Sequence, residues 1–128
     1  MLAHATSTPS RNIFSRPVIL AAADVYAQIP RLAEVRELMR STQATVREQP
    51  GCISYVFAET LDDPGHFVTL QKWRDRDALD EHYRSEAFAE YQSKIGDYLV
   101  RTSELRQYDV RESSRPLDSR IIDTSQDD

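Results

Sequence analysis

Residues 52–73 read CISYVFAETLDDPGHFVTLQKW. Cys52 to Leu61 alternates, with Ile53, Tyr55 and Phe57 pointing one way and Ser54, Val56 and Ala58 the other. His66 to Trp73 is dense in β-branched and aromatic side chains, which suit a pleated backbone. Between them, Asp62-Asp63-Pro64-Gly65 is turn chemistry: proline presets φ, glycine accepts positive φ and aspartate bonds the local backbone. The stretch therefore predicts a hairpin. Neither face is strongly polar, so both are expected to be covered, one by helices and the other by a second sheet.

Upstream, Val18 to Tyr26 is a continuous apolar run between Pro17 and Pro30, short enough for a buried strand. From Arg31 the apolar side chains fall at Leu32, Val35, Leu38, Met39, Thr42 and Val46, the three-and-four spacing of one helical face. Pro30 suits the first helical turn, and Pro50-Gly51 must end the helix. Downstream, Asp75 or Asp77 caps a helix carrying Ala78, Leu79, His82 and Tyr83. Ser85 restarts it with Phe88, Tyr91, Ile95 and Leu99 inside. Ser103 to Val110 makes a last strand. The order β-α-β-β-α-β predicts an α+β, ferredoxin-like unit with an antiparallel sheet over residues 17–110. Residues 1–16 and 111–128 read as a flexible N-terminal and a polar C-terminal tail, with Leu117, Ile121 and Ile122 the apolar residues of the latter.

The 128 residues suffice for one core, and 40% apolar with 29% charged residues is the composition of a soluble globular chain. No apolar run nears the roughly 18 residues of a membrane span. The net charge of −5 and scattered basic residues argue against a nucleic-acid surface. Cys52 stands alone, and His4, His66 and His82 lack metal-cage spacing, so neither a disulfide framework nor a metal centre is expected. The N-terminus shows no basic segment followed by an apolar one, so a cytoplasmic address is expected. Dinucleotide, P-loop, nucleophile-elbow and zinc-protease signatures are absent.

What remains is a group of aromatic and titratable residues near the sheet. Trp73 reads first as core filling, because its ring buries a large area and its N–H needs one partner. His82 reads either as a hydrogen-bonded packing residue or as the proton acceptor of a site, since imidazole titrates near neutrality. Tyr83, Tyr91 and Tyr98 follow helical spacing, though a phenol in a pocket also binds oxygen or stabilises an enolate. Asp24 interrupts an apolar strand and reads as standing at the mouth of the barrel or paired with an arginine, since an unpaired charge there would be costly. His66 and His4 read as surface groups, and Cys52 as an inert small residue.

The run from Arg47 to Tyr91, REQPGCISYVFAETLDDPGHFVTLQKWRDRDALDEHYRSEAFAEY, resembles the antibiotic biosynthesis monooxygenase (ABM) family of the dimeric α/β-barrel superfamily. Carrying the resemblance are Pro50-Gly51-Cys52, Tyr55, the Asp63-Pro64 turn and the strand end at Trp73, then Ala78-Leu79, His82 and the Ser85 to Phe88 restart. It implies a homodimer that buries the open sheet face as a barrel, with a ligand pocket between sheet and helices. Members include oxygenases of anthrone-like or quinol substrates that use no flavin, haem or metal, haem-degrading enzymes, isomerases, and proteins without known activity. Haem is disfavoured: Gln92 stands where haem-degrading members place an iron-ligand histidine, and His82 where they carry Trp. Gln71 replaces a Glu common before the Trp, removing a carboxylate base.

The resemblance thus implies a cofactor-independent oxidoreductase, a monooxygenase acting on a small quinol, phenolic or anthrone-type molecule with dioxygen. His82 would be catalytic, and Trp73, Tyr55, Tyr83, Phe88 and Tyr91 would bind substrate. The alternatives are an isomerase or cyclase using the same pocket, or a non-catalytic ligand-binding or accessory dimer. No nucleic acid or membrane partner is expected.

Overall fold

The computed structural model describes residues 17–101 and 104–111. Along it run β1 (Pro17–Ala27), α1 (Leu32–Val46), β2 (Cys52–Glu59), β3 (His66–Trp73), α2 (Arg76–Tyr83), α3 (Glu86–Ile95), β4 (Leu99–Arg101) and β5 (Leu105–Arg111). The expected N-terminal tail, residues 1–16 with His4, as well as Ser103 and residues 112–128 of the expected C-terminal tail lie outside the described residues, while Arg111 belongs to β5. The strand order is β2-β3-β1-β4, with β5 also on β1. β3 runs antiparallel to both neighbours, so β1 and β2, joined through α1, straddle it in the split βαβ of a ferredoxin-like α+β fold.

Local chemistry explains the boundaries. Pro30 sits in a 3-10 turn, Ile29–Arg31, that leads into α1. Val35, Met39, Thr42 and Val46 form the buried face of α1 at the expected spacing. Of the two cap candidates Asp75 serves: its carboxylate accepts from Ala78 N at 2.9 Å. Ser85 caps α3 by accepting from Phe88 N at 3.2 Å. Each cap satisfies an amide that the first helical turn leaves unpaired.

The core has two halves on the helical side of the sheet. Ile19, Ala21, Val46, Tyr55, Trp73 and Leu79 pack at one end, and Val25, Val35, Met39, Phe67, Tyr91 and Ile95 at the other. Phe57 touches both.

Several expectations need correction. Ile53 does not share the buried face of Tyr55; it is 51% exposed, because the β2–β3 register shifts between Cys52 and Ser54. One extra residue in a ladder turns its side chain outward. β2 ends at Glu59, two residues short of Leu61, which is exposed. Leu99 is not in the second helical segment: α3 ends at Ile95, a 3-10 turn covers Gly96–Tyr98, and Leu99 opens the short strand β4, which the spacing did not reveal.

Among the described residues nothing covers the second sheet face. Leu70 and Val56 are exposed and lie opposite one another in register, beside Ala22. At one end of that face His66 is no isolated surface group. Its ring stacks on Tyr26 with centroids 4.5 Å apart, and its Nε2 lies 2.8 Å from Asp24 Oδ1. Asp24 thereby finds its partner, with Arg106 4.0 Å from its other oxygen.

Candidate functional site

Small side chains on the helical side of the sheet leave space there. Ala23 pairs with Thr69, and Thr69 with Phe57. Ala23 and Thr69 do not fill the gap between sheet and helices, and a cavity of about 510 Å3 results. That volume suits a small organic ligand. Its sheet wall is Ala23, Val25, Tyr55, Thr69 and Gln71. Its helical wall is Tyr83, Phe88, Tyr91, Gln92 and Ile95. Leu99, Glu104, Leu105 and Gln107 complete it.

Of the six residues expected at the site, Tyr55, Tyr83, Phe88 and Tyr91 line this cavity. Trp73 and His82 do not; they pack one layer behind. Trp73 is wholly buried, and its Nε1–H donates to Gln71 Oε1 at 2.9 Å. The indole thus orients a cavity-lining amide without reaching the cavity itself.

His82 is at the centre of an aromatic box. Its ring stacks on Trp73 at 5.0 Å and meets Tyr55 at 5.4 Å, Tyr83 at 5.1 Å and Phe88 at 5.1 Å. Burial lowers its pKa to about 4, so the imidazole is neutral at pH 7. Its Nδ1 lies 2.9 Å from Gln49 Oε1, while Nε2 is buried without a hydrogen-bond partner among the described residues. On the outer side, His82 borders a groove of about 370 Å3 with Gln49, Ser85, Arg74, Asp77 and Glu81.

The neighbouring Tyr83 hydroxyl is likewise buried without a well-formed hydrogen bond. Burial pushes its pKa up to about 12, against the opposing influence of the Gln107 and Gln71 amides. Tyr55 and Tyr91 are also held well above the usual phenol range, chiefly by burial. All three phenols therefore enter neutral chemistry as O–H groups. Cys52 is half-buried, and desolvation raises its thiol pKa, which keeps it a poor nucleophile.

Sequence reasoning missed Glu104 and Gln107. They come from the chain's last strand region, whose pairing with β1 is non-local. It noted Gln71 and Gln92 only as replacements for other residues, yet both face the cavity.

A ferredoxin-like sheet with helices over one face and an aromatic cavity between them defines a small α+β protein with a built-in ligand-sized space. The sequence profile described as "Antibiotic biosynthesis monooxygenase" matches residues 19–94, and the chain belongs to this family. An uncharacterised protein of Synechocystis sp. is 30% identical over 95 residues, 74% of this chain and 65% of that protein. A candidate monooxygenase of Mycobacterium tuberculosis is 34% identical over 67 residues, 52% of this chain and 65% of that protein. This chain thus spans just under two thirds of both curated relatives. The solved structure of the M. tuberculosis protein superposes with a TM-score of 0.66 at 27% identity, covering 79% of this chain and 96% of that one. A crystal structure of an antibiotic biosynthesis monooxygenase gives 0.67 at 26% identity, covering 77% and 99%. No helix among the described residues is long and apolar enough to cross a membrane.

Proposed function

We propose that the protein is a monooxygenase without a bound cofactor, acting on a small electron-rich aromatic molecule of the quinol, phenol or anthrone type. One observation carries this reading. His82 Nε2 is buried without a hydrogen-bond partner among the described residues, the hydroxyl of the adjacent Tyr83 is buried without a well-formed hydrogen bond although the Gln71 and Gln107 amides lie near it, and Tyr83 faces a cavity walled by aromatic rings. Buried polar atoms left unpaired cost stability, so a site that keeps two together is suited to a ligand that supplies the missing bonds.

For an anthrone-type substrate the chemistry balances without an external reductant. The substrate carbon loses a proton, and its anion passes an electron to dioxygen. The two then join as a peroxide. Loss of water leaves one oxygen atom on the substrate as a carbonyl. In this reading the Tyr83 O–H meets the substrate oxygen, the Gln71 and Gln107 amides stabilise its developing charge, and the proton reaches His82 Nε2, which lies behind the cavity wall, by way of the adjoining Tyr83 side chain. Tyr55, Phe88 and Tyr91 hold the rings and exclude water. Trp73 acts through Gln71. Among the described residues the cavity lining holds Gln92 and no histidine, which supports a substrate chemistry that does not run through haem.

Oxygen uptake by metal-free protein against anthrones, naphthols and quinols tests this. We expect saturable uptake, reduced roughly 100-fold in His82→Gln while the circular dichroism spectrum is kept. No uptake with any substrate would turn the assignment to an isomerase or to a binding module. Uptake equal in both proteins would remove His82 from the chemistry.

We further propose a homodimer in which a second copy covers the open sheet face. Leu70 at 49% and Val56 at 37% exposure, with half-buried Val68 and Ala22, form an apolar strip, and the Tyr26–His66–Asp24 group stands at its end. Sedimentation equilibrium should give twice the 14.7 kDa chain mass, and Leu70→Lys should shift the protein to monomer. An unchanged mass in that variant would place the interface elsewhere.

A further inference from the structure

The hydrogen bonds around His82 form a directed circuit. Ser85 Oγ lies 2.6 Å from the His82 carbonyl oxygen, which can only accept, so the one hydroxyl hydrogen is committed there. Toward its other neighbours Ser85 Oγ must accept, and Phe88 N–H donates to it at 3.2 Å. The Gln49 side chain also meets it, at 3.1 Å. With no hydrogen left on the hydroxyl, Gln49 must present its NH2 to Ser85 and turn its carbonyl toward His82 Nδ1, 2.9 Å away. A carbonyl only accepts, so Nδ1 must carry the hydrogen, and Nε2 keeps the lone pair.

We infer that Gln49 and Ser85 are positioning residues that clamp His82 in its Nδ1–H tautomer and leave Nε2 as a bare proton acceptor on the opposite edge of the ring. The opposite amide orientation would set the Gln49 carbonyl against a hydroxyl that has no hydrogen to give. It would also bury an Nε2–H with no acceptor, since that nitrogen has no partner among the described residues. The circuit ties together three elements: the turn after α1, the last turn of α2 and the cap of α3. One serine therefore both starts a helix and sets the protonation pattern of a buried ring. Trp73, Tyr55, Tyr83 and Phe88 pack against the imidazole and carry no charge at neutral pH, and Arg74, Asp77 and Glu81, the charged groups of the outer groove that His82 borders, form no ion pair with it.

The catalytic meaning of this clamp rests on the proposed oxygenase reading, whereas the tautomer itself does not. Nitrogen-15 NMR of uniformly labelled full-length protein at pH 7 reads the tautomer directly, with His82 assigned by separate His4→Gln and His66→Gln spectra. We expect Nδ1–H to exceed Nε2–H by roughly tenfold or more, although free histidine favours Nε2–H. In Gln49→Leu the preference should collapse toward that of free histidine. In Gln49→Glu the added carboxylate should keep Nδ1–H and raise the His82 titration midpoint from about 4 by about 1 to 3 pH units. An Nε2–H wild type would overturn the inference whatever the oxygen electrode reads. So would an unchanged tautomer ratio in Gln49→Leu, or an unmoved midpoint in Gln49→Glu. Wild type in the Nδ1–H form without oxygen uptake would instead leave the clamp standing and remove the oxygenase reading.

Discussion

Gly51→Ala is expected to lower stability by about 3 kcal/mol and to loosen α2 from the sheet. Gly51 has φ +81°, in the left-handed region, where a side chain costs about 1–2 kcal/mol. A Cβ there would also overlap the Ala78 side chain and come within 3.3 Å of the Arg74 guanidinium. Ala78 is buried in the first turn of α2 and cannot step aside without moving the helix. The Gly51 carbonyl accepts from Arg74 N at 2.8 Å, so the turn also holds the end of β3. Gly96 provides the control. Its backbone is helical, and nothing among the described residues lies within 4 Å of where a methyl group would stand, so Gly96→Ala should be neutral or stabilising by up to about 1 kcal/mol. Urea unfolding of both variants checks the pair. A Gly51→Ala protein within about 0.5 kcal/mol of wild type would contradict the turn geometry. The same substitution should weaken the Gln49–His82 bond, because Gln49 stands two residues before the glycine.

The reach of sequence reasoning followed the range of the interactions involved. α1 was legible because its buried residues repeat within one helix, and the hairpin because proline and glycine mark its turn. β3 was legible because β-branched and aromatic side chains are dense in it, and in the fold Phe67, Thr69, Gln71 and Trp73 alternate inward without interruption. β2 was misread at Ile53, since a one-residue register shift leaves no trace in residue type. The pairing of His66 with Asp24 depends on the β1–β3 register that sets Tyr26 opposite His66, across 42 residues of chain. His66 alone reads as a surface group, and Asp24 alone gives no hint that its partner is a histidine on β3.

At the site, periodicity found the aromatic walls but not the depth of each ring. Trp73 and His82 lie on inward-facing positions, as do Tyr55 and Tyr83, and no spacing rule tells a second layer from a first. The cavity exists because Ala23 and Thr69 are small, and missing volume has no chemical signature in a sequence. Gln49 was equally silent: a glutamine at a helix end ordinarily reads as solvated. Its role appears only when α2 and α3 bring His82 and Ser85 to it.

Acid should destabilise the protein through His82 by as much as about 3 kcal/mol. In the unfolded chain the imidazole titrates at its ordinary value of 6.5, while burial lowers the folded value to about 4. The folded state therefore resists a proton that the unfolded state accepts. Above pH 6.5 both states are neutral and the full stability is present. As pH falls from 6.5 toward 4, protons bind preferentially to the unfolded chain and stability is progressively lost. Nε2 has no partner among the described residues to receive a hydrogen, so protonation without unfolding would bury an unpaired charge. Two carboxylates act in the same direction but lower on the pH scale. Glu59 is held below its usual range by Arg36, and Asp75 by the Ala78 amide and then Arg74, so their contributions fade only under stronger acid. Replacing His82 with Phe keeps a ring for Trp73 to stack on and removes the titrating nitrogen. Urea midpoints measured from about pH 7.5 down to about 4.5 should fall steeply for wild type and much less for His82→Phe. The difference between the two curves isolates the buried imidazole, and parallel curves would mean that His82 is not held neutral by burial.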